Sequence, residues 1–289
     1  MPIIEPAIRP PAEAGSFLLQ VTTGCSANSC TFCGAYAGKP FRAKPPEGIF
    51  SDIEEERALD PGVRRVFLMD GDALALSNAR LVPILGRLAA AFPMLARVSS
   101  YANGDQVARS GDDELRELRD RKLTLIYMGL ESGSQTILAR RRKRATVGEM
   151  VDAVRRATGA GIKSSVIVLL GLGGRENSAE HVHETIRALN RMQPRYLSFL
   201  SLMLIPGTPL WEDARRGAFH ELDSRALLRE ARDIIAGLEL EKTVFRSDHA
   251  SNYLSIEGRF PADKGALVRT LDLALEGRLP TRPEFLRGL

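Results

Sequence analysis

Cysteine is scarce in this chain, three residues in 289, and tryptophan occurs once. A chain of this length buries enough core to fold without covalent staples, so a disulfide framework is not expected. No apolar run approaches the ~20 residues of a membrane-spanning helix. The start, Met1-Pro2-Ile3-Ile4-Glu5-Pro6, has no basic segment, apolar stretch or small-residue cleavage site, so no secretory signal is expected. These absences lead us to expect a cytoplasmic protein with no membrane partner. The composition, 44% hydrophobic and 26% charged, is that of an ordinary globular domain. A formal charge of +4 and a pI near 9.1 make it mildly basic, largely through Arg140-Arg141-Arg142-Lys143-Arg144. That run reads as a solvated helix end, or as a contact to a carboxylate, a phosphate or another acidic group. No clustered aromatics accompany it, so nucleic acid is not the expected partner.

The three cysteines all fall in Gly24-Cys25-Ser26-Ala27-Asn28-Ser29-Cys30-Thr31-Phe32-Cys33-Gly34, directly after the apolar run Phe17-Leu18-Leu19-Gln20-Val21. Three thiolates on one loop suit a metal centre with one position left to a small molecule. A four-iron cluster held by three cysteines is such a centre. Cys30-Thr31-Phe32-Cys33 also has the CxxC spacing of zinc sites, but structural zinc takes four ligands, usually as two pairs. No second pair follows, and the histidines lie at 181, 183, 220 and 249.

Strand and helix patterns then alternate. Helices are expected near 46–59, 77–92, 112–120, 146–160 and 179–192, with strands near 17–21, 63–69, 97–101, 123–128, 164–170 and 196–204. Six strands with right-handed crossovers make a parallel sheet. Polar or glycine-rich residues recur after every strand, including Asp70–Asp72, Ser99–Asn103, Glu131–Ser134 and Gly171–Glu176. That distribution favours a barrel over a doubly wound sheet. The expected fold is α/β, a partial (β/α)6 TIM-like barrel over residues 1–215, with a short C-terminal helical or lid extension over 216–289. His181 and His183, beside Glu180 and Glu184 on one helix, read as surface residues.

On these residues the chain resembles the radical S-adenosylmethionine (SAM) superfamily, in the branch of coproporphyrinogen oxidase and related Fe–S oxidoreductases. The likeness covers roughly residues 15–212 and is strongest at the cysteine loop and at Gly129-Leu130-Glu131-Ser132-Gly133-Ser134. It implies a [4Fe–4S] cluster on Cys25, Cys30 and Cys33, which cleaves SAM to methionine and a 5′-deoxyadenosyl radical that takes hydrogen from a substrate. Four residues separate Cys25 from Cys30, where the family has three, which lengthens the loop without removing a ligand.

By the same resemblance, Phe32 lies near the SAM adenine, and Gly71 with Asp72 stands for the family's glycine-rich segment around the SAM amino group. Glu131 stands where the family contacts the ribose or methionyl part. Gly171 and Gly173 would let the backbone approach adenine, and Ser164 would meet the SAM carboxylate. Phe32 is also readable as a loop anchor, Asp70-Gly71-Asp72 as a strand-ending turn, and Glu131 as part of a helix cap. In 243–254, His249, Asn252 and Tyr253 are candidate catalytic residues of a lid, or else parts of a strand and turn closing the barrel.

With every cysteine in one loop, sulfur insertion from a second cluster is not expected, and the length leaves no room for a cobalamin domain. The expected partners are a small-molecule substrate and an external electron donor of flavodoxin or ferredoxin type. An RNA-modifying enzyme of the same superfamily and a non-enzymatic Fe–S or zinc protein remain the alternatives.

Overall fold

The computed structural model describes residues 3–4 and 8–288. In chain order, β1 (Phe17–Leu19) leads to the short strands β2 (Thr22–Thr23) and β3 (Arg42–Ala43), which pair antiparallel and bracket the cysteine loop in sequence. There follow α1 (Pro46–Leu59), β4 (Arg65–Leu68), α2 (Asn78–Ala91), β5 (Arg97–Tyr101), α3 (Gly104–Arg109), α4 (Asp112–Asp120) and β6 (Leu123–Glu131). Then come α5 (Gln135–Arg140), α6 (Val147–Gly159), β7 (Lys163–Leu170), α7 (Ser178–Met192), β8 (Tyr196–Ser201) and α8 (Pro209–Arg215). The chain ends through α9 (Ser224–Gly237), β9 (Val244–Ser247), β10 (Ile256–Arg259) and α10 (Lys264–Leu275).

Two compact units divide the chain: residues 1–28, 35–128 and 156–164 form the first, and residues 29–34, 129–155 and 165–289 the second. Residues 165–289 all belong to the second unit. Within the first unit β1, β4, β5 and β6 pair in that order, all parallel. Within the second, β7, β8 and β9 are parallel and β10 returns antiparallel on β9.

The first unit's core is built on the continuous apolar run of β4, buried on both faces, and the apolar stripe of α2, with Val66, Phe67, Leu68, Leu81, Leu85, Leu88 and Phe92 buried. Phe67, Tyr101 and Tyr127 meet edge to face, with centroids 5.3 to 6.0 Å apart. Buried beside them is Glu13, whose carboxylate accepts from Tyr127 Oη at 2.6 Å, Ser16 Oγ at 2.5 Å and Arg97 at 2.9 Å. A buried charge is tolerable with that many partners. Burial, and then the Glu13 hydrogen bond, push the Tyr127 phenol well above its ordinary value, so it stays a donor.

In the second unit Phe199, Phe245 and Phe260 form the corresponding chain, with centroids 5.0 and 6.3 Å apart. Two short helices carry side-chain caps: Ser134 Oγ accepts from Ile137 N at 3.1 Å and Thr208 Oγ1 from Trp211 N at 3.4 Å. Ser77 occupies the N-cap position of α2 but makes no side-chain cap bond.

Candidate functional site

In the first unit the turn after β4 holds the start of the cysteine loop. Asp70 takes φ 67, and its Oδ2 accepts from Gly24 N at 2.9 Å and Gln20 Nε2 at 3.3 Å while pairing with Lys39 Nζ at 2.8 Å. Burial raises the Asp70 carboxyl, against the opposing pull of Lys39. Gly71 N donates to Gly24 O at 3.0 Å, and a Cβ on Gly71 would fall 2.6 Å from Cys25 Cβ. Only glycine lets the two segments come this close.

Asp72 is buried as well. It accepts from Ser26 Oγ, from Asn103 N at 3.2 Å and from Asn103 Nδ2 at 2.8 Å. The same Asn103 amide lies 3.7 Å from Cys25 Sγ. Asp72 is thus a clasp on the loop, and Asn103 supplies a hydrogen bond toward a ligand sulfur, which helps set a cluster's reduction potential. In sequence Asn103 belongs only to the polar segment Ser99–Asn103, and its position just beyond β5 is the one signal for it. Ser164, also in this unit, is fully buried, and its hydroxyl has no hydrogen-bond partner among the described residues.

In the second unit Thr31 N donates to Arg141 O at 2.9 Å and Leu210 N donates to Thr31 O at 2.9 Å, which fixes the Cys30–Cys33 segment from both sides. Phe32 packs on the apolar group of Ile137, Leu172, Leu202, Leu210 and Phe219, and so serves as a loop anchor. Glu131 ends β6 at φ 64, with its carboxylate 3.3 Å from Lys143 Nζ. That carboxylate folds over Gly129, where a Cβ would lie 2.0 Å from Oε1. Gly171 turns at φ 83, and a Cβ on Gly173 would lie 2.8 Å from Asn177 O, so both glycines are required by the backbone.

The candidates of 243–254 stand in a strand and hairpin. Asn252 is buried, with its amide bonded to Ser201 Oγ, Phe199 O and Ser247 Oγ at 2.9, 2.7 and 3.0 Å. Tyr253 donates to Glu284, accepts from Arg287 at 2.8 Å and lies under its guanidinium; burial raises its phenol to about 12. His249 Nδ1 accepts from Ser251 N at 3.1 Å, which leaves the proton on Nε2, and burial lowers its pKa.

His181 corrects our expectation of a surface residue: it is completely buried, while His183 is exposed. It lies on the inner stripe of α7 with Thr185, Ala188, Leu189 and Met192, a 3.6-residue pattern that the neighbouring glutamates obscured. Its Nδ1 is 2.8 Å from Ser132 Oγ, and its Nε2 is 3.8 Å from Glu230 Oε2. Glu230 in turn accepts from Gly171 N at 2.7 Å and Ser178 Oγ at 2.7 Å.

Burial raises Glu230 to about 7 and lowers His181 to about 4. A raised acid stabilises below its unfolded value, 4.5, and that contribution is lost as pH rises through about 7. The depressed histidine stabilises above 6.5, and its contribution is lost as pH falls through about 4. Between 4.5 and 6.5 the two slopes cancel. Glu230→Gln leaves the histidine slope alone, so its stability should rise by up to ~1.4 kcal/mol per pH unit relative to the parent across that window. Urea denaturation at several pH values reads this, and parallel pH curves would contradict it.

The donor set fits a four-iron cluster: all three cysteines are half-buried and none is in a disulfide. Among the described residues no group of three or more His, Cys, Asp or Glu could hold a single metal ion. A cluster spreads its cysteines over separate irons. In the first unit, the buried Ser164 hydroxyl, left without a hydrogen-bond partner among the described residues, is chemistry that suits a polar ligand such as SAM.

Comparison with known proteins agrees. The family model described as the radical SAM superfamily matches residues 19–189, more than half of the chain, and the chain belongs to that superfamily. It is 26% identical over 201 residues to an uncharacterized methyltransferase of Pyrococcus horikoshii, an alignment covering 68% of this chain but only 41% of that protein. Coproporphyrinogen III oxidase of Escherichia coli superposes with a TM-score of 0.56 at 14% identity, over 76% of this chain and 51% of that one. Methylornithine synthase gives a TM-score of 0.55 at 16% identity, over 92% and 83%. The fold is therefore the α/β partial barrel of this superfamily, and its cofactors are a [4Fe–4S] cluster and SAM. Among the described residues no helix is long and apolar enough to cross a membrane.

Proposed function

We propose that this chain cleaves SAM reductively and uses the resulting 5′-deoxyadenosyl radical to abstract hydrogen from a small molecule, with net oxidoreductase- or lyase-type chemistry. The observation that carries the reading is the placement of every cysteine of the chain in one loop inside the matched segment. When bound, the cluster supplies the electron that breaks the C5′–S bond of SAM.

The protein's own contribution is positional. Asp72 clasps the loop, Asn103 donates toward Cys25, and Phe32 anchors the Cys30–Cys33 segment. In this reading Gly71, Asp72, Glu131, Ser164, Gly171 and Gly173 contact SAM, and the buried hydroxyl of Ser164 is the donor that lacks a protein partner. His249 and Tyr253 are the candidate proton-handling groups toward substrate. Asn252, whose amide is spent on the sheet, is assigned a positioning role.

Methyl transfer is the second reading, favoured by the name of the Pyrococcus horikoshii relative. Label tracing separates the two. Anaerobic incubation with a deuterated metabolite pool and SAM carrying a ¹³C-methyl group should place deuterium in 5′-deoxyadenosine and leave ¹³C in methionine. Appearance of ¹³C in a new product, with no deuterium in the nucleoside, would establish methyl transfer instead.

A further inference from the structure

We propose that His181 and Glu230 are positioning residues for SAM: as a buried brace they hold the turn after β6 and the turn after β7 in a fixed relation. This rests on the reading that Glu131 and Gly171 contact SAM, and it names what keeps their backbones in place. All four residues lie in the second unit.

Both turns leave the sheet at left-handed residues, Glu131 at φ 64 and Gly171 at φ 83. Gly171 is buried, and its N–H donates to Glu230 Oε2 at 2.7 Å. A buried amide at such a turn needs an acceptor from elsewhere in the chain. The three residues after Glu131 are each held from α7. Ser132 Oγ lies 2.8 Å from His181 Nδ1, Gly133 N donates to Thr185 Oγ1 at 2.9 Å, and Ser134 Oγ donates to Glu180 Oε1 at 2.5 Å. Ser132 Oγ also accepts from Ser134 N at 3.1 Å, so its one proton goes to His181 Nδ1. The ring proton then sits on Nε2, which is buried without a hydrogen bond and faces Glu230 Oε2 at 3.8 Å. That N–H dipole points at the carboxylate across the gap, and so joins the two turns through α7 and α9.

Packing alone does not call for these residues. His181 and Glu230 stand on the apolar stripes of α7 and α9, where leucine would bury with no loss of hydration. Burial opposes the charged form of each, raising Glu230 to about 7 and lowering His181 to about 4. Glu230 uses its second oxygen at the start of α7, where Oε1 accepts from Ser178 Oγ at 2.7 Å. One carboxylate therefore ties the β7 turn to the helix that carries the β6 turn. Binding groups need supporting bonds of this kind to stay within a fraction of an ångström of their working geometry.

The test is the SAM affinity of the anaerobically reconstituted holoenzyme, measured by calorimetry without reductant so that no turnover occurs. Glu230→Leu removes the acceptor for Gly171 N, and His181→Gln sets its amide near the Nε2 position and abandons Ser132. Both should bind SAM at least about tenfold more weakly per cluster, with iron content unchanged. Glu230→Gln keeps an acceptor for Gly171 N, and His181→Asn places an amide oxygen near the Nδ1 position, where it accepts from Ser132. These two conservative variants should bring the affinity to within about threefold of the parent. In the weakened variants KM for SAM should rise more than kcat for 5′-deoxyadenosine formation falls.

If Glu230→Leu does not fold, the two histidine variants carry the comparison. Parent-like affinity in Glu230→Leu and His181→Gln, with a lower urea midpoint as the sole change, would overturn the proposal and leave the pair a stabiliser of the fold. Equal losses in His181→Asn and His181→Gln would overturn it too, because the Ser132 bond would then not matter. Glu131→Ala tests the underlying contact reading separately. Parent-like affinity there removes that reading, whereas a loss there with parent-like brace variants removes the brace alone.

Discussion

Replacing Cys25, Cys30 or Cys33 singly by alanine should yield a folded chain that no longer retains a four-iron cluster. The three side chains are half-buried, outside the fully buried core, so each truncation should cost stability no more than ~1 kcal/mol. The loop keeps its other anchors: Asp70 and Asp72 in the first unit, and the Thr31 and Phe32 contacts in the second. Iron and sulfide per chain and the visible absorption of the cluster should fall together, while far-ultraviolet circular dichroism stays that of the parent. Formation of 5′-deoxyadenosine should drop by at least about three orders of magnitude, because the electron-delivering centre is gone. A variant that retains full iron would show that its cysteine is not a ligand.

Gly71→Ala should damage the same centre without touching a ligand. The new methyl group would lie 2.6 Å from Cys25 Cβ and 3.0 Å from its Sγ, too close for any real contact. The turn cannot easily yield, since Gly71 N bonds Gly24 O and Asp70 holds Gly24 N. Cys25 must therefore move, and in doing so it strains the Asn103 contact. We expect ~1–3 kcal/mol of destabilisation together with a severalfold loss of cluster occupancy. Gly133→Ala is the control: its Cβ would fall 2.1 Å from Glu184 O, a backbone clash in the second unit that involves no cysteine. That variant should lose stability, while its folded fraction retains iron. Equal iron content in Gly71→Ala and the parent would contradict the close-packed loop.

Much of this was legible because it is local. Helices α1 and α4 and strand β5 run over the residues their patterns indicated, Pro46–Leu59, Asp112–Asp120 and Arg97–Tyr101. The cysteine loop and Asp70–Asp72 announce themselves by spacing and by position after a strand. Short elements were not legible: α3, α5 and α8 have six or seven residues, too few to display a 3.6-residue period. Strand β6 runs three residues beyond the expected end because Gly129 and Leu130 continue extended until Glu131 turns left-handed.

Long-range pairings were least visible. Asn103 meets Cys25 across 78 residues and Glu230 meets Gly171 across 59, and neither residue belongs to a motif. Yet Glu230, like His181, lies on a buried helical stripe, with Leu227, Ala231 and Ile234. A charged or titratable residue at such a position was the signal, since burial of that kind needs partners.

The central claim, reductive cleavage of SAM at a cluster on Cys25, Cys30 and Cys33, has one direct measurement. The anaerobically reconstituted protein is incubated with SAM and dithionite, and methionine and 5′-deoxyadenosine are quantified by chromatography. The account predicts equal amounts of both, dependent on the reductant and on an intact cluster. Intact SAM, or S-adenosylhomocysteine with no 5′-deoxyadenosine, from protein that retains its full iron would contradict it.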